Sequence, residues 1–249
     1  MIRFFRKTRQ GLLIENKFGK YLIYAIGEIA LVVIGILVAL QVNTWNNHRI
    51  NQTLEIKLLK DLQKDLKTDL KNLSLKIEYD SLFAESNKTL LTSFKNNKLA
   101  DELKILNFKG TDYTSFGIIN RAVFFYPQKY AYQNIINTGI DIIENDSLRQ
   151  DIVHLYDYTY LVTGDYLQIQ FDMLVNTNDY LWNNLETKEN LYIKIPNDTT
   201  LIKQNQRFIN FLSSMAEEYK GALGFYRPNR DDIKSLIKEI DKEIKIKEK

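Results

Sequence analysis

The sequence predicts an all-α protein in which one N-terminal transmembrane helix continues into an extracytoplasmic antiparallel helical bundle. Three observations support this prediction. The 249 residues include 3 Pro and 10 Gly, too few for a turn-rich β fold. A run of twenty residues near the N-terminus, 21–40, carries a single charged side chain. Downstream of this run, apolar residues recur at the spacing of one face of a helix.

The segment 21–45 is the predicted transmembrane helix. Its apolar part, YLIYAIGEIALVVIGILVAL, contains twenty residues, and at ~1.5 Å per residue it covers the ~30 Å hydrocarbon core of a bilayer. A cleaved secretory signal is the alternative. The run is longer than the roughly 7 to 15 apolar residues of such signals, and no A-x-A pattern closes it. We therefore expect an uncleaved anchor.

The flanks of this helix indicate its orientation. Residues 1–20 hold six basic side chains against Glu15, whereas no charged residue follows the apolar run before Arg49. Because basic residues stay on the cytoplasmic side, residues 1–20 are expected to form a cytoplasmic or interfacial segment, either an interfacial helix or a disordered tail. Residues 46–249 then form a periplasmic domain on the bacterial inner membrane. Basic and aromatic side chains that would anchor the chain at the membrane surfaces are Arg3, Arg6, Lys7, Arg9, Lys17, Lys20, Tyr21, Tyr24 and Trp45.

One carboxylate, Glu28, lies inside the apolar run. An unpaired charge there costs a few kcal/mol, which protonation, snorkelling or burial against another helix would offset. Gly35 follows Glu28 by seven residues and forms a small-xxx-small pair with Ala39, a pattern typical of closely packed helices in lipid. We therefore predict assembly with a second copy or another membrane protein. The predicted contact residues are Glu28, Gly27, Gly35, Ala39 and Asn43. A proton-linked role for these residues is the alternative.

Two segments resemble a known family. The opening MIRFFRKTRQGLLIENKFGKYLIYAIGEIALVVIGILVALQVNTWN is similar to the N-terminus of a family of uncharacterised bacterial single-pass membrane proteins, domain of unknown function 6090. The later YAYQNIINTGIDIIENDSLRQDIVHLY resembles a second recurring segment of that family. The resemblance implies an N-terminal span and a helical C-terminal domain. It implies no activity.

Residues 46–249 show the periodicity of long amphipathic helices. Leu54 to Ile77 places apolar residues three or four apart, with Lys and Asp on an expected solvated face. A second long helix is expected after a cap at Asn145 or Asp146, a third after residue 200, and a separate closing helix from Asn229. The apolar face of the second helix is expected to include Val162, Tyr166, Ile169, Met173 and Val175.

The region between the first two long helices is less regular. We predict a helix from Pro127 to about Thr138, closed by Gly139. An aromatic cluster surrounds Pro127, and core packing is its expected role, with a ligand-contacting surface as the alternative. The cluster comprises Phe124, Phe125, Tyr126, Tyr130 and Tyr132.

Sequence motifs indicate no catalytic site. The chain has no Cys and 2 His, and it lacks the G-x-S-x-G and H-E-x-x-H patterns. Asp165, Asp172 and Asp179 share one helix face but have no Glu-x-x-His partner, so we expect them to be solvated, with no metal and no cofactor. The nearly neutral domain has no basic face for nucleic acid. A membrane-anchored, non-enzymatic interaction or scaffold protein fits best, and the alternatives are an ion- or proton-coupled subunit, a ligand sensor acting through a partner, and an envelope enzyme.

Overall fold

A computed structural model describes residues 18–96, 98–99 and 103–248. It is 81% helical, with one long apolar N-terminal helix followed by a helical domain. The all-α prediction is therefore confirmed. The chain divides into two compact units, Met1–Glu55 and Ile56–Lys249.

Helix α1, Phe18–Asn96, contributes to both units. In the first unit it is the one element that the structure describes. None of residues 22–50 is buried, although most of residues 22–42 are apolar. A continuous helix is the expected conformation for such a sequence, because it pairs its backbone N–H and C=O groups within itself and needs no water to satisfy them.

The second unit is organised by three long helices: the later part of α1, a helix ending at Asn184 and a helix ending at Lys247. The last one runs antiparallel to α1, since Gln63 contacts Ile237 and Phe83 packs on Tyr219. The middle one runs parallel to α1, since Lys76 reaches Gln170 while residue 69 reaches residue 160. The chain between the end of α1 and the middle helix therefore runs back along the bundle, so that the middle helix begins beside Asp69 of α1.

Short elements make this return. They are β1 Leu106–Phe108, β2 Thr111–Tyr113, α2 Ser115–Ile118, α3 Tyr130–Thr138, a 3-10 turn Ile140–Ile142 and α4 Asp146–His154. Strands β1 and β2 pair antiparallel around Lys109 and Gly110, whose positive φ angles of 52° and 83° suit a two-residue hairpin turn. This hairpin was not predicted from the sequence. The predicted end of α3 at Gly139 is confirmed, since φ there is 107° and the N–H donates to the carbonyls of Ile135 and Ile136. The helix begins at Tyr130 and not at Pro127.

A π-helical turn, Leu155–Thr159, joins α4 to α5, Tyr160–Asn184. The predicted apolar face is wrong at Ile169 and Val175, which are 47% and 54% exposed, whereas Val162, Tyr166 and Met173 are half-buried. Leu167 and Gln170 are buried instead. A π turn holds one residue more than an α turn, so it shifts the buried face of α5 by one position. The cap at Asn145 is as predicted, since its side chain accepts from the N–H of Leu148.

The chain ends in strands β3 Leu185–Thr187 and β4 Lys194–Pro196, which pair antiparallel, then α6 Thr199–Gln204 and α7 Gln206–Lys247. The predicted break before Asn229 is wrong, because α7 runs through Pro228 as one helix. A proline inside a helix costs about 3 kcal/mol. Tyr226 and Ile233 are both 0% exposed on either side of it, so core packing of both halves offsets that cost.

The aromatic cluster around Pro127 is only partly in the core. Phe125 and Tyr132 are buried, as expected. Phe124, Tyr126 and Tyr130 are exposed, which corrects the prediction for these three residues. Phe124 instead packs on exposed rings, with its centroid 6.2 Å from that of Phe171. The main hydrophobic core lies elsewhere, where α1, α2, α5 and α7 meet, and includes Phe83, Leu90, Phe116, Phe208, Met215 and Tyr219.

Candidate functional site

The predicted assembly face lies on the exposed part of α1. At about 100° per residue, Glu28, Gly35 and Ala39 fall within roughly 40° of one another around the helix. Around the helix axis, Asn43 lies about 40° beyond Ala39, and Gly27 lies about 80° beyond Gly35 in the opposite direction. Glu28 is half-exposed and the other four residues are exposed. We call Glu28, Gly35 and Ala39 the small-residue face.

The glycines of this helix have no packing role within the described chain. A Cβ atom added at Gly27 or Gly35 would have no non-neighbouring atom within 4 Å. Glycine inside a helix costs about 1 kcal/mol relative to alanine. Intramolecular packing therefore does not explain why two glycines occur in this run, whereas the close approach of a second helix does.

The predicted interface anchors are described only in part. Tyr24 and Trp45 are 54% and 64% exposed, and at ~1.5 Å per residue they lie about 30 Å apart along the helix. The Arg49 guanidinium lies 5.8 Å from the centroid of the Trp45 ring, a cation–π contact. Lys20 and Tyr21 lie in α1, but their side chains are outside the described set. Five further predicted anchors precede the described residues: Arg3, Arg6, Lys7, Arg9 and Lys17.

A second notable feature is a row of polar side chains buried inside the bundle. Asp69, Lys76 and Asp80 of α1 are each 0% exposed, so the expectation that the Lys and Asp residues of this helix are all solvated is wrong. From Leu62 to Leu90, one row of buried positions in α1 alternates four and three residues apart, with Ile77 and Ser86 buried beside it. This is the spacing of a helix packed along one seam. That spacing was the signal in the sequence that could have identified the buried charges.

Lys76 and Asp80 form a buried ion pair. The Lys76 Nζ donates to Asp80 Oδ2 at 2.8 Å and to Gln170 Oε1 at 3.1 Å, and it lies 5.1 Å from the centroid of the Tyr226 ring. Burial lowers the pKa of Lys76 and raises the pKa of Asp80, while their mutual attraction opposes both shifts. The Tyr226 hydroxyl has no hydrogen-bond partner in the part of the chain that the structure describes. The pair joins α1 to α5 and α7.

Asp69 forms a second buried polar contact. Its Oδ1 accepts from the backbone N–H of Gln128 at 2.9 Å, and its Oδ2 accepts from the Tyr160 hydroxyl at 2.8 Å. Burial raises the pKa of Asp69 to about 6, although both hydrogen bonds act in the opposite direction. Asp65 similarly accepts from the N–H of Ala131 at 3.0 Å. These carboxylates attach the chain around the start of α3 to α1.

The described acidic side chains do not cluster as metal ligands do. Within residues 18–96, 98–99 and 103–248, no group of three or more His, Asp or Glu side chains is placed to hold a metal ion. Asp165, Asp172 and Asp179 are exposed, as expected for a solvated row, and Asp172 accepts from Gln168 at 2.8 Å. His154 is likewise exposed and stacks on Tyr158, with ring centroids 5.1 Å apart.

Comparison with known proteins identifies the family. No curated protein and no solved structure matches the chain. One family model does match, over residues 28–214, and it is described as a family of unknown function (DUF6090). The match includes the small-residue face, the buried Lys76–Asp80 pair and the first part of α7. The chain therefore belongs to this family of unknown function, DUF6090.

Proposed function

We propose that the protein is a membrane-anchored, non-enzymatic interaction or scaffold protein of the bacterial envelope. Its N-terminus lies in the cytoplasm of a bacterial inner membrane, and residues 46–249 lie in the periplasm. The observation that most supports this proposal is that residues 22–42 are apolar around nearly the whole circumference of α1, yet none is buried. Each exposed Val, Leu or Ile costs about 1.5–3 kcal/mol in water relative to burial, and lipid removes that cost.

Assembly through the small-residue face is the second part of the proposal. Gly35 and Ala39 permit two helix backbones to approach closely, and packing of this kind drives association in lipid, where the hydrophobic effect does not. Glu28 lies on the same face, and polar side chains in lipid form hydrogen bonds across neighbouring helices. A homo-oligomer is the simplest assembly that provides this neighbour.

The polar groups of the bundle support a non-enzymatic role. A catalytic acid or base must reach a substrate, but the shifted pKa values of Asp69, Lys76 and Asp80 belong to side chains that are 0% exposed. Each of these side chains is used to join helices or to attach the chain near α3. An interaction module requires no more than this stable, closed bundle.

Disulfide cross-linking in native membranes tests the assembly. The chain has no Cys, so single-cysteine variants have no background. Gly35→Cys and Ala39→Cys place a thiol on the small-residue face, and Leu37→Cys places one on the opposite side, about 180° from Glu28. We expect an oxidant to produce covalent dimers of the first two variants and not of the third. Equal cross-linking of all three variants, or cross-linking of Leu37→Cys alone, would contradict assembly through this face.

A further inference from the structure

A cavity of about 300 Å³ lies in the second unit, between α1, the β1–β2 hairpin, the chain after α2 and the loop that joins β3 to β4. Its volume is at the lower end of small-molecule sites. Five of its eleven lining residues are aromatic, and the Tyr79 and Phe108 rings meet edge to face with centroids 5.3 Å apart. The aromatic lining residues are Tyr79, Phe83, Phe108, Tyr113 and Tyr192.

A positive charge lies against these rings. Arg121 lines the cavity, and its guanidinium is fixed in place. The Nη2 donates to the Leu191 carbonyl at 2.6 Å, the Nε donates to the Gly117 carbonyl at 3.4 Å, and the group lies 4.8 Å from the centroid of the Tyr192 ring. Arg121 forms no ion pair with any carboxylate of the described residues. A bound anion would supply the charge that the protein does not.

A second cation, Lys194 on β4, is not among the residues that line the cavity. The Lys194 ammonium sits 4.7 Å from the centroid of the Trp182 ring and has no carboxylate partner among residues 103–248. Burial lowers the pKa of Lys194, and the charge of Arg121 lowers it further. The anion contact in the cavity is therefore assigned to Arg121 alone.

Two hydroxyl groups of the wall are also unused. Tyr113 is 8% exposed, and neither its hydroxyl nor that of Tyr79 forms a hydrogen bond to a described residue. Neither hydroxyl oxygen is buried, so both are accessible to solvent or to a molecule in the cavity. Burial of the ring raises the pKa of Tyr113, and its hydroxyl is a neutral donor at physiological pH. The cavity therefore combines apolar walls with free polar groups, as ligand sites do.

Hydrogen bonds and close backbone packing fix the walls of the cavity. The Thr114 N–H donates to the Tyr192 carbonyl at 3.0 Å. A Cβ atom at Gly117 would lie 1.6 Å from that same carbonyl oxygen, so only glycine lets the β3–β4 loop pack against α2. The Tyr219 hydroxyl of α7 donates to the Arg121 carbonyl at 2.6 Å. Three parts of the fold thus position Arg121 and Tyr192.

We propose that this cavity binds a small aryl carboxylate, with the aromatic ring against Tyr79, Phe108 and Tyr192 and the carboxylate on Arg121. Ring edges and faces are favourable partners for an aromatic ligand. An arginine–carboxylate hydrogen bond is charge-assisted and about twice as strong as a neutral one. The compact cavity selects a single-ring acid over a long acyl chain. This site is independent of the transmembrane face, so either proposal can fail without the other.

The probe is 3-(4-fluorophenyl)propionate, titrated against full-length protein in lipid nanodiscs and followed by fluorine NMR. Its uncharged match is 3-(4-fluorophenyl)propan-1-ol, and empty nanodiscs correct for partitioning into lipid. We expect saturable line broadening of the acid, and binding of the alcohol at least about tenfold weaker. Absence of saturable binding by the acid would overturn the proposal, and so would equal affinity for the alcohol.

Two variants locate the site. Arg121→Gln is expected to weaken binding of the acid at least about tenfold. Arg227→Gln, on α7, is the matched control and should leave binding unchanged, because Arg227 donates to Ser81 away from the cavity. Since Arg121 also holds the β3–β4 loop, Val123→Trp provides a second test by filling the cavity with Arg121 in place. A Val123→Trp protein that has the native circular dichroism spectrum and still binds the acid would contradict the assignment.

Discussion

Replacing Lys76 with methionine tests whether the buried ion pair stabilises the bundle. Lys76→Met keeps an unbranched side chain of similar length in α1, so packing changes little. It removes the ammonium that donates to Asp80 and Gln170. The carboxylate of Asp80, which is 0% exposed, then remains in the core without its counter-ion.

The magnitude follows from the burial of both partners. Removing one member of a buried ion pair costs about 3–5 kcal/mol, because the remaining charge stays desolvated. For a unit of about 150–250 residues, each kcal/mol lowers the melting temperature by roughly 2–4 °C. We therefore expect a decrease of about 6–20 °C at pH 7. The decrease should be smaller at lower pH, since the raised pKa of Asp80 allows the unpaired carboxyl to become neutral.

Thermal melting of the full chain in nanodiscs, followed by circular dichroism, measures this effect. Lys71→Met is the matched control, because Lys71 is exposed on the same helix and should change stability by less than about 0.5 kcal/mol. The double variant Lys76→Met/Asp80→Leu removes both charges and is expected to recover most of the lost stability. A single variant that melts within 2 °C of the wild type would refute the reasoning. A double variant as unstable as the single one would do so too.

Three further predictions follow from the other sites. Asp69→Asn should become more stable relative to the wild type as pH rises from 4 to 7, because the pKa of the wild-type carboxyl is about 6 in the folded state and 3.8 in the unfolded state. Ionisation of Asp69 therefore costs the folded wild type at most about 3 kcal/mol, and Asn does not ionise. Melting temperatures with the same pH dependence in both proteins would contradict this. Gly117→Ala should lower the free energy of unfolding by at least about 1–3 kcal/mol, because the added Cβ overpacks against the Tyr192 carbonyl. Gly164→Ala is the control. Its Cβ meets open space, so this variant should be neutral or slightly more stable in the same melting assay. In the Gly35→Cys background, Glu28→Gln should preserve cross-linking, because the amide retains an interhelical hydrogen bond. Glu28→Leu should reduce cross-linking. Equal cross-linking of the Gln and Leu variants would exclude a polar contact at this position.

Local sequence signals predicted the features that depend on neighbouring residues. The apolar run at 21–40, the Asn145 cap and the end of α3 at Gly139 each depend on residues within a turn or two of one another. For the same reason the helical class was evident from the 3 Pro and the apolar periodicity. These features needed no knowledge of which helices pack together.

Features set by tertiary packing were missed. The Lys76–Asp80 pair resembles a solvated i,i+4 pair until Gln170 and Tyr226 cover it. Pro228 resembles a break until the buried residues on both sides are known to share one core. The cavity at Arg121 could not be predicted, because its wall comes from α1, the β1–β2 hairpin and the β3–β4 loop. These segments are separated in sequence by up to about a hundred residues.

Accessibility of a single cysteine in the last helix tests the central claim most directly. Lys238 is exposed on α7, and the chain has no other thiol, so Lys238→Cys can be labelled in intact spheroplasts with a membrane-impermeant maleimide. If the apolar part of α1 crosses the inner membrane with the bundle in the periplasm, the cysteine is labelled fully before lysis. Labelling only after the spheroplasts are lysed would contradict this topology.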